Sequence, residues 1–393
     1  MKLPVKESVA EANNVAPKFR YTILVDGNAL LQIGMVDKRM NSSGESYGGV
    51  YRFLNALRNV LVKRDFSRCY VCWDGHQSGV LRWKYYKDYK QNRNKTYASY
   101  DDSGEYDKAV MERVRRMIKT SQRRRFLATG EENEDESFTR QRSILFEILD
   151  NLYVRQLVYD ECEADDLIAY YCKKKPEGEK VVIVSEDRDI TQLISEDVCV
   201  YLPKERIFVS TKNDVEILGI RHDNVALKKI ICGDSSDNIK GVKGLGEKLF
   251  LKHFPETKER KVYLDEIFRH AKEINMERER NKQKPLMVLE NLVNCVTDGI
   301  QKEQLYSINE RIIDLSNPML TNEAKADMKI WMECPLDPEE RDTRSLYAIL
   351  TDNTMYTLMD EHVFGEIFGA FERVIRNEKE FYKREIIEGE DEK

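Results

Sequence analysis

Nine acidic residues in five short clusters are the residues of this chain best suited to chemistry. They are Asp26, Asp74, Glu163, Asp165, Asp166, Asp187, Asp189, Asp234 and Asp237. Asp26, Asp74 and Asp187 come at or just after apolar runs that are typical of buried strands. In a parallel sheet, the carboxyl ends of such strands open onto one edge, where ligands of α/β proteins bind. Acids crowded there repel one another unless divalent cations neutralise them, so the pattern predicts a magnesium-dependent, two-metal phosphodiesterase.

Each acidic cluster also has an ordinary structural explanation. Glu163, Asp165 and Asp166 lie at the start of a predicted helix, where acids stabilise the helix dipole. Asp187 and Asp189 form an Asp-x-Asp sequence that is also common in turns. Three acids within four positions exceed what a helix cap needs. The clusters taken together therefore favour metal binding.

The bulk composition sets limits on the class of protein. With 393 residues, of which 41% are hydrophobic and 34% charged, the chain can form one main domain with appendages. No apolar stretch is long enough for a membrane span, and the first residues lack the core of a secretory signal. Eight cysteines without regular spacing predict reduced thiols. We therefore expect a soluble, intracellular protein.

Two basic stretches, 82–95 and 113–125, stand out against the net charge of −6. In the first stretch, basic and aromatic residues follow helical spacing and fall on one face: Arg82, Tyr86, Tyr89, Lys90 and Arg93. Cations for phosphates and rings for unpaired bases are typical of single-strand binding. The alternative is a solvated basic helix whose tyrosines pack on the core. The position directly after Asp74 favours the nucleic-acid interpretation.

Glycines shape the most specific string of the chain, at residues 233–249. Gly241, Gly244 and Gly246 predict a tight hairpin that leads into a helix at Glu247. Backbone N–H groups at such a turn can bind a phosphate. The string is not a Walker A loop, because Gly246 is followed by Glu-Lys-Leu.

Other classes of active site are disfavoured. The five histidines are spread along the chain without metal-ligand spacing, which argues against zinc. Cys69 and Cys72 lie within an apolar strand pattern and have no second cysteine pair. The Gly-x-Ser-x-Gly motif of serine hydrolases is absent from the sequence.

The acidic motifs, the Tyr-Lys-x-x-Arg sequence at residues 89–93 and the glycine hairpin occur in the order found in one family. The chain resembles the structure-specific 5′-nucleases, that is, flap endonucleases and 5′→3′ exonucleases. It is most similar to the free-standing phage type and to the 5′-nuclease domain of bacterial DNA polymerase I. The resemblance covers roughly residues 21–255. It implies an α/β fold: a central, mainly parallel sheet flanked by helices (a PIN-like core), a helical arch, a helix-hairpin-helix and a helical C-terminal extension.

The resemblance also implies roles for individual residues. Two Mg2+ ions would be held by the nine acids, one ion near Asp26, Asp74, Glu163, Asp165 and Asp166, the other near Asp187, Asp189, Asp234 and Asp237. Lys90 and Arg93 would act in catalysis together with Asp26 and Asp74. The DNA contacts would be Arg82, Tyr86, Tyr89, Lys90, Arg93, Gly241, Lys243, Gly244, Gly246 and Lys248. Mn2+ would substitute for Mg2+, and K+ would bind at the hairpin.

The family's substrates are 5′ flaps and 5′ ends of DNA, including RNA primers on DNA, in replication or repair. The resemblance therefore implies branched DNA and RNA/DNA hybrids as partners. Replication proteins such as a single-strand-binding protein are the alternative partners of the C-terminal extension. A monomer is the default expectation, and a protein of phage origin would act in the host cytoplasm. Two alternatives stay open: a PIN-like endoribonuclease acting on single-stranded RNA, and a non-catalytic member that binds DNA junctions.

The predicted organisation has four parts. Residues 1–20 form a flexible segment, 21–215 the catalytic core, 216–260 the helix-hairpin-helix region and 261–393 the helical extension. Residues 82–142 form the arch, and its part 96–142 is either an arm over the site or a surface insertion. The extension carries an apolar stripe at helical spacing: Phe364, Ile367, Phe368, Phe371 and Val374. We expect this stripe to pack on the core rather than to bind a partner.

Overall fold

The computed structural model of the chain describes residues 20–90, 134–297, 304–337, 339 and 341–391. Several features that the sequence analysis singled out lie outside these described residues. They are Arg93, the basic stretch 113–125, most of the insertion 96–142 and nearly all of the N-terminal segment.

A six-stranded sheet forms the centre of the described chain. Its strands are β1 (Tyr21–Asp26), β2 (Arg68–Trp73), β3 (Arg155–Val158), β4 (Lys180–Val184), β5 (Val198–Leu202) and β6 (Ile207–Val209). The strands lie in the order β3-β2-β1-β4-β5-β6. All neighbours are parallel except β6, which is antiparallel to β5. The predicted mainly parallel sheet is confirmed.

The strands are buried on both faces, as their apolar runs predict. Nearly every residue of β1, β2 and β4 is buried, which is typical of parallel strands covered by helices on both sides. Successive side chains alternate between the faces, so Ile23 and Val25 pack in one helical layer and Leu24 packs in the other.

Helices follow the strands in the first half of the described chain. They are α1 (Gly27–Gly34), α2 (Gly48–Leu61), α3 (Val80–Trp83), α4 (Glu134–Leu149), α5 (Ala164–Lys174), α6 (Asp214–Leu218), α7 (Val225–Cys232) and α8 (Glu247–His253). Short 3-10 turns cover Arg188–Leu193, His222–Asn224 and Pro255–Lys258. The helix predicted at Glu247 therefore begins where expected.

The C-terminal third is helical, as the sequence predicts. Its helices are α9 (Leu264–Arg280), α10 (Met287–Val293), α11 (Leu305–Ile313), α12 (Asn322–Glu333), α13 (Thr343–Asp352), α14 (Tyr356–Met359) and α15 (Glu361–Asp391). No helix among the described residues has the length and apolar character that crossing a membrane requires.

Three large clusters of buried residues hold most of the described elements together. One lies between the sheet and α1, α2, α4 and α13–α15, and another lies between the opposite face of the sheet and α5 and α12. A third cluster joins α7–α11 around Phe250 and Phe254. The sheet is thus covered on both faces, and the glycine hairpin belongs to a separate helical unit beside it.

The apolar stripe of α15 packs on the core. Ile367, Phe368, Phe371 and Val374 are buried in the same cluster as α2, and Phe364 packs against them. Burial of four such side chains stabilises the docked helix by several kcal/mol, at about 1.5–3 kcal/mol for each. The expectation that the stripe forms core is therefore confirmed.

The helix predicted over the basic stretch after Asp74 ends much earlier than its spacing indicates. It covers only α3, and residues 84–90 continue in turns. Lys90 has a φ of 53°, in the left-handed region that interrupts a helix. Arg82, Tyr86, Tyr89 and Lys90 therefore do not share one helical face, and the spacing argument for them is wrong.

Candidate active site

Asp26 stands at the carboxyl end of β1, the first strand end that the sequence pointed to. Its Oδ1 accepts a hydrogen bond from the Ala29 backbone N–H at 3.0 Å, and its Oδ2 accepts one from the Ser185 hydroxyl at 2.9 Å. Burial raises the pKa of Asp26 to about 7, and the nearby carboxylates of Asp74 and Asp187 add to the effect. Asp26 is therefore an acid whose charged form is disfavoured mainly by burial and further by neighbouring carboxylates.

Asp74 follows β2 and connects two neighbouring elements. Its Oδ1 accepts from the Ala164 backbone N–H at 2.9 Å, which caps the start of α5. Its Oδ2 accepts from the Asn28 side-chain amide at 2.6 Å. These two bonds hold the carboxylate beside both α1 and α5.

Three acids at the start of α5 have different surroundings. Arg82 pairs with Glu163 at 3.1 Å and with Asp166 at 2.5 Å. Burial would raise the pKa of Glu163, but Arg82 and Lys90 outweigh it and hold that pKa below its usual value. Burial outweighs Arg82 at Asp166, whose pKa is raised. Burial and the charges of Asp187 and Asp26 raise the pKa of Asp165 well above its usual value.

A second group of acids surrounds Lys229 of α7. Its ammonium group contacts Asp189 and lies 2.5 Å from Asp234. Burial, followed by the charge of Asp187, raises the pKa of Asp189 to about 6. At Asp234, hydrogen bonds from Lys229 and Ser236 outweigh burial and lower the pKa to about 2.

The nine predicted acids form one network at this edge of the sheet. Asp26 interacts electrostatically with Asp74 and Asp187. Asp165 interacts electrostatically with Asp26, Asp187 and Glu163. Asp237 joins through Lys90. The Lys90 backbone N–H donates to the Asp237 backbone carbonyl at 2.9 Å, and the Lys90 ammonium group interacts electrostatically with the Asp237 carboxylate. Within the described ranges, however, no three His, Cys, Asp or Glu side chains form a ready-made metal site. Arg82, Lys90 and Lys229 instead neutralise four of the nine acids.

The aromatic residues predicted to contact unpaired bases are buried. Tyr86 and Tyr89 pack with Ile230, Ile239 and Ile312 in a small cluster, and Tyr89 is only 3% exposed. The Tyr89 hydroxyl donates to Glu163 at 3.1 Å. The structure therefore corrects the stacking role: the tyrosines pack on the core, which is the alternative that the sequence left open.

The predicted DNA-binding role of Arg82 is corrected in the same way, whereas Lys90 remains accessible to solvent. Arg82 is 4% exposed, and besides its two acids it donates to the Ile312 carbonyl at 3.0 Å. A guanidinium held by buried acids is not free to bind DNA. The Lys90 ammonium group lies 2.9 Å from Glu163, and its side chain keeps 24% exposure. Lys90 therefore faces both the acidic network and solvent.

The glycine hairpin lies between α7 and α8. Gly241 is required by close packing, because a Cβ there would lie 2.1 Å from the Cys232 backbone. Gly244 has a φ of 80°, which favours glycine. The other residues predicted to bind DNA, Lys243, Gly246 and Lys248, are exposed. The hairpin and the first turn of α8 thus present one lysine each to solvent.

Comparisons with known proteins assign the family. Residues 21–219, slightly more than half of the chain, match the family model of the 5′-3′ exonuclease, N-terminal resolvase-like domain. The chain belongs to the 5′–3′ exonuclease family. A 5′-3′ exonuclease of Buchnera aphidicola is 26% identical over 67% of this chain and 83% of its own length. The thermostable DNA polymerase I of Thermus thermophilus is 29% identical over 61% of this chain, which spans 24% of that polymerase.

Solved structures confirm the fold. A T5 5′-exonuclease structure with bound divalent zinc aligns with a TM-score of 0.53 and 18% identity, over 86% of this chain and 99% of that chain. A bacteriophage T5 flap endonuclease in a complex with DNA and metal ions aligns with a TM-score of 0.52 and 20% identity, over 86% and 98%. The PIN-like 5′-nuclease fold expected from the resemblance is therefore confirmed.

In this 5′–3′ exonuclease, several site residues went unnoticed in the sequence. Lys229 lies on α7, five positions before Asp234, and nothing in its local sequence distinguishes it from other helix lysines. Asn28 and Ser185 bond to Asp74 and Asp26. These two could have been found, because polar residues directly after a strand end lie at the same edge as the acids.

Proposed function

We propose that the protein hydrolyses 5′ flaps and 5′ ends of DNA, including RNA primers annealed to DNA, with two divalent metal ions and water as the nucleophile. The observation that carries this proposal is the group of nine acidic residues at the carboxyl edge of the parallel sheet, linked by electrostatic interactions with one another and with Arg82, Lys90 and Lys229. Membership of the 5′–3′ exonuclease family supports nuclease activity on DNA. A role in Okazaki-fragment processing or repair follows from these substrates.

The carboxylate oxygens of the predicted ligands suit hard divalent cations. Magnesium and manganese prefer carboxylate oxygens, and all nine predicted ligands supply them. Burial and mutual repulsion raise the pKa values of Asp26, Asp165 and Asp189, which is the strain that a bound cation relieves. The proposed ligands are Asp26, Asp74, Glu163, Asp165 and Asp166 for one ion and Asp187, Asp189, Asp234 and Asp237 for the other.

Such ions, when bound, lower the pKa of water and stabilise charge on phosphate oxygens. The chain's own residues prepare the site for them. Ser185 and the Ala29 N–H orient the Asp26 carboxylate, and Asn28 orients that of Asp74. Arg82, Lys90 and Lys229 limit repulsion among the acids before metal binds. Metal binding therefore competes with internal ion pairs.

Lys90 is the cation best placed to act on a substrate phosphate. It is partly exposed at the edge of the acidic network, and a preorganised cation there stabilises developing negative charge. Arg93 is proposed for the same role from the family resemblance alone. The exposed Lys243 and Lys248 would bind duplex backbone, which positions DNA without reading its sequence.

The decisive experiment is cleavage of a 5′-end-labelled double-flap DNA with Mg2+, with EDTA and an unstructured RNA as comparisons. Asp187→Asn should abolish cleavage while leaving flap binding intact, because Asp187 is proposed to hold metal and not DNA. Asp197→Asn is the matched control, since Asp197 pairs with Lys180 at the opposite edge of the sheet.

Short 5′ products that require metal and Asp187 would support the proposal. Near-normal turnover by Asp187→Asn would overturn the metal assignment. Faster cleavage of the unstructured RNA than of the flap would point to the endoribonuclease alternative, and tight flap binding without cleavage by the wild-type protein would point to a non-catalytic member.

A further inference from the structure

The hairpin at residues 240–246 is held by a turn far from it in sequence. Lys243 donates its backbone N–H to the Val296 carbonyl at 2.9 Å, and its own carbonyl accepts from the Asn291 side-chain amide at 3.0 Å. The Thr297 hydroxyl donates to the Gly241 carbonyl at 2.8 Å. Both backbone groups of Lys243 are thus bonded to residues 291–297, which we call the brace turn.

The brace turn has its own internal support. Asn291 lies in α10, and its carbonyl accepts from the Val296 backbone N–H at 2.8 Å. Cys295 has a φ of 54°, so the chain reverses there and returns toward the hairpin. On the buried side, Val242 and Leu245 pack in the same cluster as Leu289 and Leu292 of α10. Helix α10 therefore contacts the hairpin through buried side chains and through Asn291, and the residues that follow the helix add the other two hydrogen bonds.

We propose that Asn291 and Thr297 are positioning residues that hold the hairpin in its DNA-binding shape. This inference rests on the proposed function, because it takes the hairpin to be a duplex-binding element. The brace fixes the backbone on both sides of Val242 and so fixes the direction of the exposed Lys243. A hairpin that is already ordered binds more tightly than one that must become ordered on binding.

The same contacts bear on the potassium ion that the family resemblance implies. A cation at a hairpin is held by backbone carbonyls, and the carbonyls of Gly241 and Lys243 already accept side-chain hydrogen bonds. The carbonyl of Lys240 accepts one from Asn309 at 2.8 Å. The brace therefore orders these carbonyls without requiring a bound cation.

Asn275 provides a matched control in the same helical unit. Its side chain accepts from the Leu286 backbone N–H at 2.8 Å and donates to the Leu286 carbonyl at 3.3 Å. It joins α9 to the start of α10, and neither of these two hydrogen bonds involves the hairpin. Asn275→Ala thus removes an asparagine of similar bonding from the same unit and leaves the brace contacts in place.

The experiment measures binding of the full chain to a flapped DNA duplex in EDTA, in K+ and in Na+ at equal ionic strength. Asn291→Ala and Thr297→Val should each weaken binding about fivefold, the effect of one hydrogen bond. Wild type and Asn275→Ala should bind alike, and Asn291→Ala should bind more weakly than wild type in both salts. Unchanged affinity for Asn291→Ala in both salts would overturn the proposed positioning role.

Hydrogen exchange at residues 240–246 tests the brace without DNA. Exchange there should be faster in Asn291→Ala than in wild type and Asn275→Ala, because the order of the Lys243 backbone depends on the brace. If the wild-type protein binds no flapped duplex, the proposed function fails, and the exchange measurement alone decides the brace. Equal exchange in Asn291→Ala and wild type would then overturn it.

Discussion

At the scale of single residues, the site is defined by how its charges are paired. Four of the nine predicted acids pair with cations of the protein: Glu163 and Asp166 with Arg82, and Asp189 and Asp234 with Lys229. The strand-end acid Asp26 is left with like charges as its neighbours. An acid with raised pKa in a cluster of this kind is typical of a functional site.

Tyr89 offers a test that separates the role of its hydroxyl group from the role of its ring. Tyr89→Phe keeps the ring and removes the hydroxyl that donates to Glu163. We expect a loss of about tenfold in cleavage rate, because a hydrogen bond to a charged group contributes about 1.5–3 kcal/mol. The measurement is single-turnover cleavage of a flap substrate, with Tyr85→Phe, a neighbouring exposed tyrosine, as the control. Full activity of Tyr89→Phe would instead favour a role of the ring itself.

At the scale of elements, short turns decide where the site residues lie. The strand ends present Asp26, Asp74 and Asp187 as their apolar runs predict. The stretch after Asp74 behaves differently, because it leaves the helix after Trp83 and brings Tyr89 and Lys90 onto Glu163. Hydrophobic contacts with α7 and α11 prevail there over local helical spacing.

The link between α6 and α7 predicts a pH dependence of stability. Asp214 is buried and accepts hydrogen bonds from its neighbours, including the His222 backbone N–H at 3.0 Å. Burial would raise the pKa of Asp214, but hydrogen bonds from His222 outweigh it, so the pKa lies below the usual 3.8. An acid whose pKa is lower in the folded than in the unfolded protein stabilises the fold at pH values above its unfolded-state pKa. This stabilisation is lost as the pH falls through the folded-state pKa.

The expected result is that wild type loses stability below about pH 4, and that Asp214→Asn shows a shallower loss there. At pH 7 the variant should be less stable by about 1–3 kcal/mol. Urea unfolding between pH 3 and pH 7 measures both effects. Asp223→Asn is the control, because Asp223 forms a partly exposed ion pair with Arg221 that contributes about 0–1 kcal/mol. Parallel pH profiles of Asp214→Asn and wild type would contradict the assignment.

At the scale of the whole molecule, helices α12–α15 pack on the central sheet. Arg68 of β2 pairs with Glu378 of α15 at 3.2 Å, with both side chains buried. Arg155 of β3 donates to the carbonyls of Trp331, Cys334 and Pro335, at the C-terminal end of α12. Cations at that end are favourable for the helix dipole. These contacts lie at the amino ends of the strands, away from the acidic edge.

The acidic edge predicts that metal stabilises the folded protein. A divalent cation that binds only the folded chain, present at 100 times its Kd, adds about 2.7 kcal/mol to the free energy of unfolding. Relief of repulsion around Asp26 favours such binding. Thermal unfolding with Mg2+, compared with Na+ at equal ionic strength, is the measurement, and it does not depend on catalysis. Asp187→Asn should show a smaller shift than Asp197→Asn. An unfolding temperature that Mg2+ leaves unchanged would contradict the proposed metal site.

The sequence by itself determined the chemistry and its location: carboxylates at strand ends, a parallel sheet to align them, a glycine hairpin and an apolar stripe on the last helix. These features are local, because a strand, a turn or a helix face is encoded within a few neighbouring residues. Only the tertiary structure decided how the charges pair. Arg82 meets Asp166 across 84 positions and Lys229 meets Asp189 across 40. Contacts of that range depend on how the elements pack, and spacing within one sequence does not encode them.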